Sequence, residues 1–129
     1  PLAASGNGFL AVHAGLPDLP ILEDWDKIKP GDDNWERVLW ADFRDKEGEC
    51  LGSLCGRIKL GRDYFYRVMD SLKKNVLVRS HDPYAPERMF NNRCLTLFTS
   101  ALYGRLRQIA LVDLSKHIMS IDDFELITF

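Results

Sequence analysis

The chain has few cysteines, no long apolar run and almost no net charge, and each shortage removes a class of function. Its three cysteines, Cys50, Cys55 and Cys94, are odd in number and irregular in spacing, so a reducing cytoplasm is expected rather than a disulfide framework. They lack the paired short spacing of a four-ligand zinc site and read as buried or half-buried thiols. A formal charge of −2, with acids and bases interspersed, provides no field to gather nucleic acid or an anionic membrane. No apolar stretch approaches the roughly 18–20 residues of a membrane span. The first residues, Pro1 to Gly8, show neither the basic nor the apolar region of a signal peptide, and the chain begins without Met. A processed, excised or partial chain is therefore expected.

What is present suits a single folded unit. At 129 residues and 46% hydrophobic, the chain is one domain's worth at most and can build a core. Five runs read as strands: Gly8 to Ala14, Asn75 to Ser80, Cys94 to Ser100, Gln108 to Leu114 and Phe124 to Phe129. The fourth is nearly all apolar, as a strand covered on both faces would be. Two helices are expected. One is capped by Asp33, with Glu36 three residues on. The other runs from Arg62 to Lys74 behind Gly61, its stripe of Tyr64, Phe65, Val68, Met69 and Leu72 facing a core. Leu16 to Asp32, Asp45 to Lys59 and His81 to Asn92 read as loops, rich in proline or glycine. The sum is an α/β unit whose strands pair across the chain.

Chemistry-bearing residues gather at strand ends. His13 closes the first strand and precedes Ala14-Gly15, small residues that let a backbone turn near a ligand. His81 ends the strand after the long helix, behind Arg79-Ser80. Both imidazoles would emerge where α/β sheets place their sites, and neutral imidazole is a common ligand of Zn, Fe and Mn. A half-buried hydrogen-bonding role is the alternative for either. His117, in an apparent turn, reads as surface. Tyr103, beside Gly104, could donate to an oxyanion or simply pack a loop. Arg57, in the glycine-spaced loop, could clamp a phosphate or stay solvated. Trp35 and Trp40 read as core.

One ordered set of motifs carries a resemblance: HAGLP from His13, LWADFRD over Leu39 to Asp45, and a helix led by Gly61. LVRSHD over Leu77 to Asp82, LTLFTSALYG over Leu95 to Gly104 and an apolar strand ending in Asp113 complete it. In this order and spacing the set resembles the second half of the phosphoprotein phosphatases, within the calcineurin-like metallophosphoesterases, which show HGG, LWSDP, RAH and a TLFSAPNYCG-like stretch. The resemblance implies the C-terminal half of a β-sandwich flanked by helices, over residues 1–129. It makes His13 and His81 ligands of one of two divalent ions (Mn, Fe or Zn), Arg57 a phosphate-binding arginine and Tyr103 a residue lining the substrate. Asp42 and Arg79 become supporting residues behind them.

The departures are equally informative. HAG replaces HGG, and SALYG lacks the Pro-Asn-Tyr-Cys arrangement. The GDxHG, GDxVDRG and GNHE motifs of the family's first half, with their bridging carboxylate and proton donor, do not occur in this chain. Two imidazoles fall short of the roughly four donors that a metal site needs, so weak metal binding and poor hydrolysis are expected of the chain alone. An N-terminal partner segment, or self-association, is expected to cover an otherwise open sheet face. The implied function is metal-dependent hydrolysis of phosphoserine or phosphothreonine in proteins, or of a small phosphoester. The alternatives are a nucleotide-polyphosphate (diadenosine tetraphosphate-type) hydrolase, a non-catalytic interaction or regulatory domain of the same fold, and an unrelated α/β domain. Neither nucleic acid nor membrane is an expected partner.

Overall fold

A computed structural model describes residues 1–52, 56–104 and 106–129. In chain order the regular elements are β1 (Ala3–Ser5), β2 (Phe9–Val12), α1 (Asp33–Trp40), β3 (Asp42–Phe43), β4 (Cys50–Leu51), β5 (Ile58–Leu60) and α2 (Arg62–Ser71). They continue with β6 (Val76–Arg79), β7 (Arg88–Met89), β8 (Cys94–Thr96), β9 (Gln108–Leu111) and β10 (Glu125–Thr128). The fold class is mixed α/β, as expected.

The main sheet has the order β1-β2-β6-β8-β7, with β2, β6 and β8 parallel and antiparallel strands at both edges. Alternation along its parallel strands, covered on both sides, explains why they carry apolar residues on both faces. Leu10, Leu77 and Cys94 turn to one face and meet Phe65 and Met69 of α2. Phe9, Val76 and Leu95 turn to the other and meet Ile118, Ile121 and Phe124. Phe9 and Phe124 pack edge to face with centroids 5.8 Å apart. Each such buried aromatic or aliphatic side chain contributes about 1.5–3 kcal/mol. A small sheet, β3-β5-β4, sits beside α2, and the β9–β10 hairpin covers the opposite face of the main sheet.

Several expectations need correction. The cap of α1 is Asp32, whose carboxylate accepts from the Trp35 amide at 2.7 Å, rather than Asp33. The Asp45–Lys59 segment contains β4 and β5 instead of being a loop throughout; Cys55 lies outside the described residues. The long helix stops at Ser71, three residues before the expected Lys74, because Lys73 adopts a left-handed φ of 54°. Strand β9 is covered on one face only, with Ile109 and Leu111 exposed. His117 is exposed, yet its ring bonds to Asn7 at 2.6 Å and approaches Asn75 at 3.2 Å, tying the C-terminal segment to the chain start. Cys50 is half-buried and Cys94 buried.

Candidate active site

Because β2 and β6 are parallel neighbours, their C-terminal ends lie side by side, with Ala11 in register with Val78. The ladder continues past both strands: the Ser80 amide donates to the His13 carbonyl at 3.0 Å. His13 and His81 therefore leave the sheet together, and His81 Nδ1 lies 3.2 Å from His13 Nε2, one ring donating and the other accepting. The rings meet edge to face, with centroids 5.1 Å apart. His81 has a φ of 75°, in the left-handed region that a residue with a side chain seldom adopts.

The surroundings favour the neutral form of His81. Burial pushes its pKa below the ordinary imidazole value; the Asp42 carboxylate opposes this, while Arg57, His13 and Arg79 reinforce it. Its Nε2 is buried and has no hydrogen-bond partner among the described residues. A neutral ring keeps a lone pair on one nitrogen, which is what a ligand to a metal cation must offer.

A cavity of about 330 Å³ opens beside His81, and Asp42, Arg57 and Tyr103 also line it. Arg57 precedes β5, with its guanidinium 5.8 Å from the Trp40 ring centroid. Trp40 itself meets His81 edge-on at 5.6 Å and is 49% exposed, correcting its expected place in the core; Trp25 is the buried tryptophan. Tyr103 stands on a short 3-10 turn ended by Gly104 at a φ of 63°, and packs edge-on against Phe98. Asp42, on β3, is buried, and its Oδ1 lies 3.4 Å from Nη2 of the wholly buried Arg79. Arg79 also rests on the Phe43 ring at 5.4 Å, and its Nε and Nη1 have no partner among the described residues.

The expected set thus falls in one neighbourhood: His81, Arg57, Asp42 and Tyr103 line the cavity, His13 stands against His81, and Arg79 lies beneath, paired with Asp42. Two further features were missed. Lys59 lines the same cavity, and the alternation Arg57-Ile58-Lys59-Leu60 inside a presumed loop was the signal for it. Gly15 also has a packing reason: a Cβ there would lie 2.7 Å from both the Arg37 carbonyl oxygen and Ala41 Cβ. The backbone after His13 runs against the last turn of α1, with the Ala14 and Gly15 amides donating to the Val38 and Arg37 carbonyls.

Two converging imidazoles fit two positions of a metal shell in type and in placement. The set does not fit further. Among the described residues, no group of three His, Cys, Asp or Glu is placed to hold an ion. The donors brought together among the described residues are fewer than the two-metal centre that the resemblance implies would use.

No family model matches the chain. It is 30% identical over 110 residues to the mouse serine/threonine-protein phosphatase with EF-hands 2, a match covering 74% of this chain and 14% of the mouse protein. Its fold superimposes with a TM-score of 0.77 on a protein serine/threonine phosphatase from Saccharomyces cerevisiae described as similar to human phosphatase PP5. That likeness covers 100% of this chain and 46% of the yeast chain, at 24% identity. The chain belongs with the phosphoprotein phosphatases. It spans under half the length of either phosphatase it matches. Among its described residues, no helix of this phosphatase segment is long and apolar enough to cross a membrane.

Proposed function

We propose that the protein carrying this chain is a metal-dependent phosphatase acting on phosphoserine or phosphothreonine in proteins, and that residues 1–129 form part of its phosphatase domain. The observation that carries this reading is the 3.2 Å approach of His81 Nδ1 to His13 Nε2 at adjacent strand ends, beside a cavity that holds Arg57. In this reading the two imidazoles contribute two donors to a site completed from elsewhere, for Mn, Fe or Zn. Divalent ions bound there would supply Lewis acidity toward water and the phosphoryl group. Arg57 would bind two phosphoryl oxygens through its planar guanidinium and offset their charge as the ester breaks. Tyr103 would donate a hydrogen bond from the cavity rim. Asp42 would hold Arg79 beneath the site, and the thiol usage supports a cytoplasmic location, which cell fractionation would test.

Phosphate release from p-nitrophenyl phosphate and from a phosphoserine peptide, with and without added metal, tests the reading. The 129-residue chain alone should turn over poorly. A longer chain that supplies the missing donors should be active, and Arg57→Ala should cost it on the order of 10²–10³ in rate. An active longer chain indifferent to Arg57→Ala, or one with no phosphatase activity under any metal, would refute the assignment.

A further inference from the structure

The cavity beside His81 holds a second cation that neither the motifs nor the phosphatase reading uses. Lys59 occupies the middle strand of the small sheet, in register with Asp42 of β3 on one side and Cys50 of β4 on the other. Arg57 lies two residues earlier and so on the same face, and both side chains border the cavity.

The carboxylate across the strand is committed elsewhere. Asp42, the cross-strand neighbour of Lys59, directs its carboxylate to the buried Arg79, and no ion pair joins Lys59 to an acid among the described residues. Asp82, also on the cavity wall, accepts from the Tyr84 amide at 2.9 Å. The path of the lysine stem is built in by a glycine. Gly52 is not in the left-handed region, so its backbone does not require glycine. A Cβ at this position would instead lie 3.0 Å from Lys59 Cε and 3.3 Å from the Arg57 carbonyl oxygen. Gly52 leaves the space along which Lys59 reaches the cavity.

From this we infer that Lys59 is a specificity residue that reads a second anionic group beside the phosphoester. The favoured substrate is then a phosphopeptide whose neighbouring residue is acidic. The inference rests on the phosphatase reading in one respect: Arg57 takes the phosphoryl group, which leaves Lys59 for the adjacent charge.

Calorimetric titration of the 129-residue chain with two peptides separates the two ideas. One peptide carries phosphoserine flanked by aspartates; the other carries phosphoserine flanked by alanines. The aspartate peptide should bind roughly tenfold more tightly, the worth of one charge-assisted contact. Lys59→Met, which keeps the stem, should erase that ratio while leaving the alanine peptide within about twofold. Lys59→Arg should restore the preference, Gly52→Ala should weaken it, and Lys116→Met, with the same change in net charge, should leave it intact. A ratio near one in the parent chain, or a ratio that survives Lys59→Met, overturns the inference. Failure of the phosphatase reading has a different signature: Arg57→Ala would then leave binding of the alanine peptide unchanged.

Discussion

His81 Nδ1 stands 3.2 Å from His13 Nε2, although the two residues are 68 positions apart in the chain. The parallel pairing of β2 with β6 creates that proximity, and a pair of imidazoles so placed should capture a divalent ion, if weakly. Titrating Co²⁺ or Zn²⁺ into the chain, followed by calorimetry or Co²⁺ absorbance, should give weak binding. His13→Ala and His81→Ala should each lower the affinity on the order of tenfold or more. Tight binding of two ions by the chain alone would contradict the donor count.

The protonation of His81 gives a second expectation. Its folded-state pKa lies below the ordinary imidazole value, chiefly through burial. As pH falls below about 6.5, the unfolded chain takes up a proton at this position that the folded chain resists. The stabilising contribution is therefore full above that pH and is lost as pH drops through the lower folded value. Urea midpoints compared between pH 8 and pH 5 should fall less steeply for His81→Asn than for the parent. Asparagine is chosen because it tolerates the left-handed backbone at this position. A proton-NMR titration placing His81 above 6.5 would reverse the sign and reject the account.

Beneath the site, Arg79 is fully buried with Asp42 as its one close counter-charge among the described residues. Asp42→Asn should cost about 3 kcal/mol of stability, because it strands a buried guanidinium. Arg79→Leu combined with Asp42→Asn should recover much of that loss, since neither charge then remains buried. Denaturant unfolding of the two single variants and the double variant measures the coupling. Simple additivity would show that the pair does not act as one.

Gly15 offers a purely steric expectation. Its missing Cβ leaves room for the Arg37 carbonyl and for Ala41 at 2.7 Å, so Gly15→Val should cost about 1–3 kcal/mol. The same substitution would push away the end of α1, which carries Trp40. Thermal melts should show the destabilisation, and Trp40 emission should change with it. Gly31→Ala is a useful contrast: nothing lies within 4 Å of a Cβ there, and its cost should come only from its φ of 88°.

The sequence revealed the three central strands and α2 because their signals are local: apolar runs at β2, β6 and β8, and the one-sided stripe from Tyr64 to Met69. The convergence of His13 and His81 was legible for the same reason, since both follow an apolar run. The small sheet was not. Its strands are two or three residues long, and glycines around them mimic a loop. Lys59 was hidden along with them. Trp40 misled through its type: an indole on an amphipathic helix usually packs inward, but this one lies at the last turn of α1 and leans over Arg57. The exposed face of β9 is a further case, because a continuous apolar run cannot reveal which of its faces finds a cover within the same chain.

The left-handed backbone at His81 carries an implication for how this position can drift. Glycine and asparagine would sit there with less conformational effort, so random exchange should favour them over any residue with a ring. In a library randomised at codon 81 and selected only for soluble expression, those two should dominate. Recovery of histidine would demand a selection that depends on the imidazole itself, and that contrast separates what the backbone wants from what the site needs.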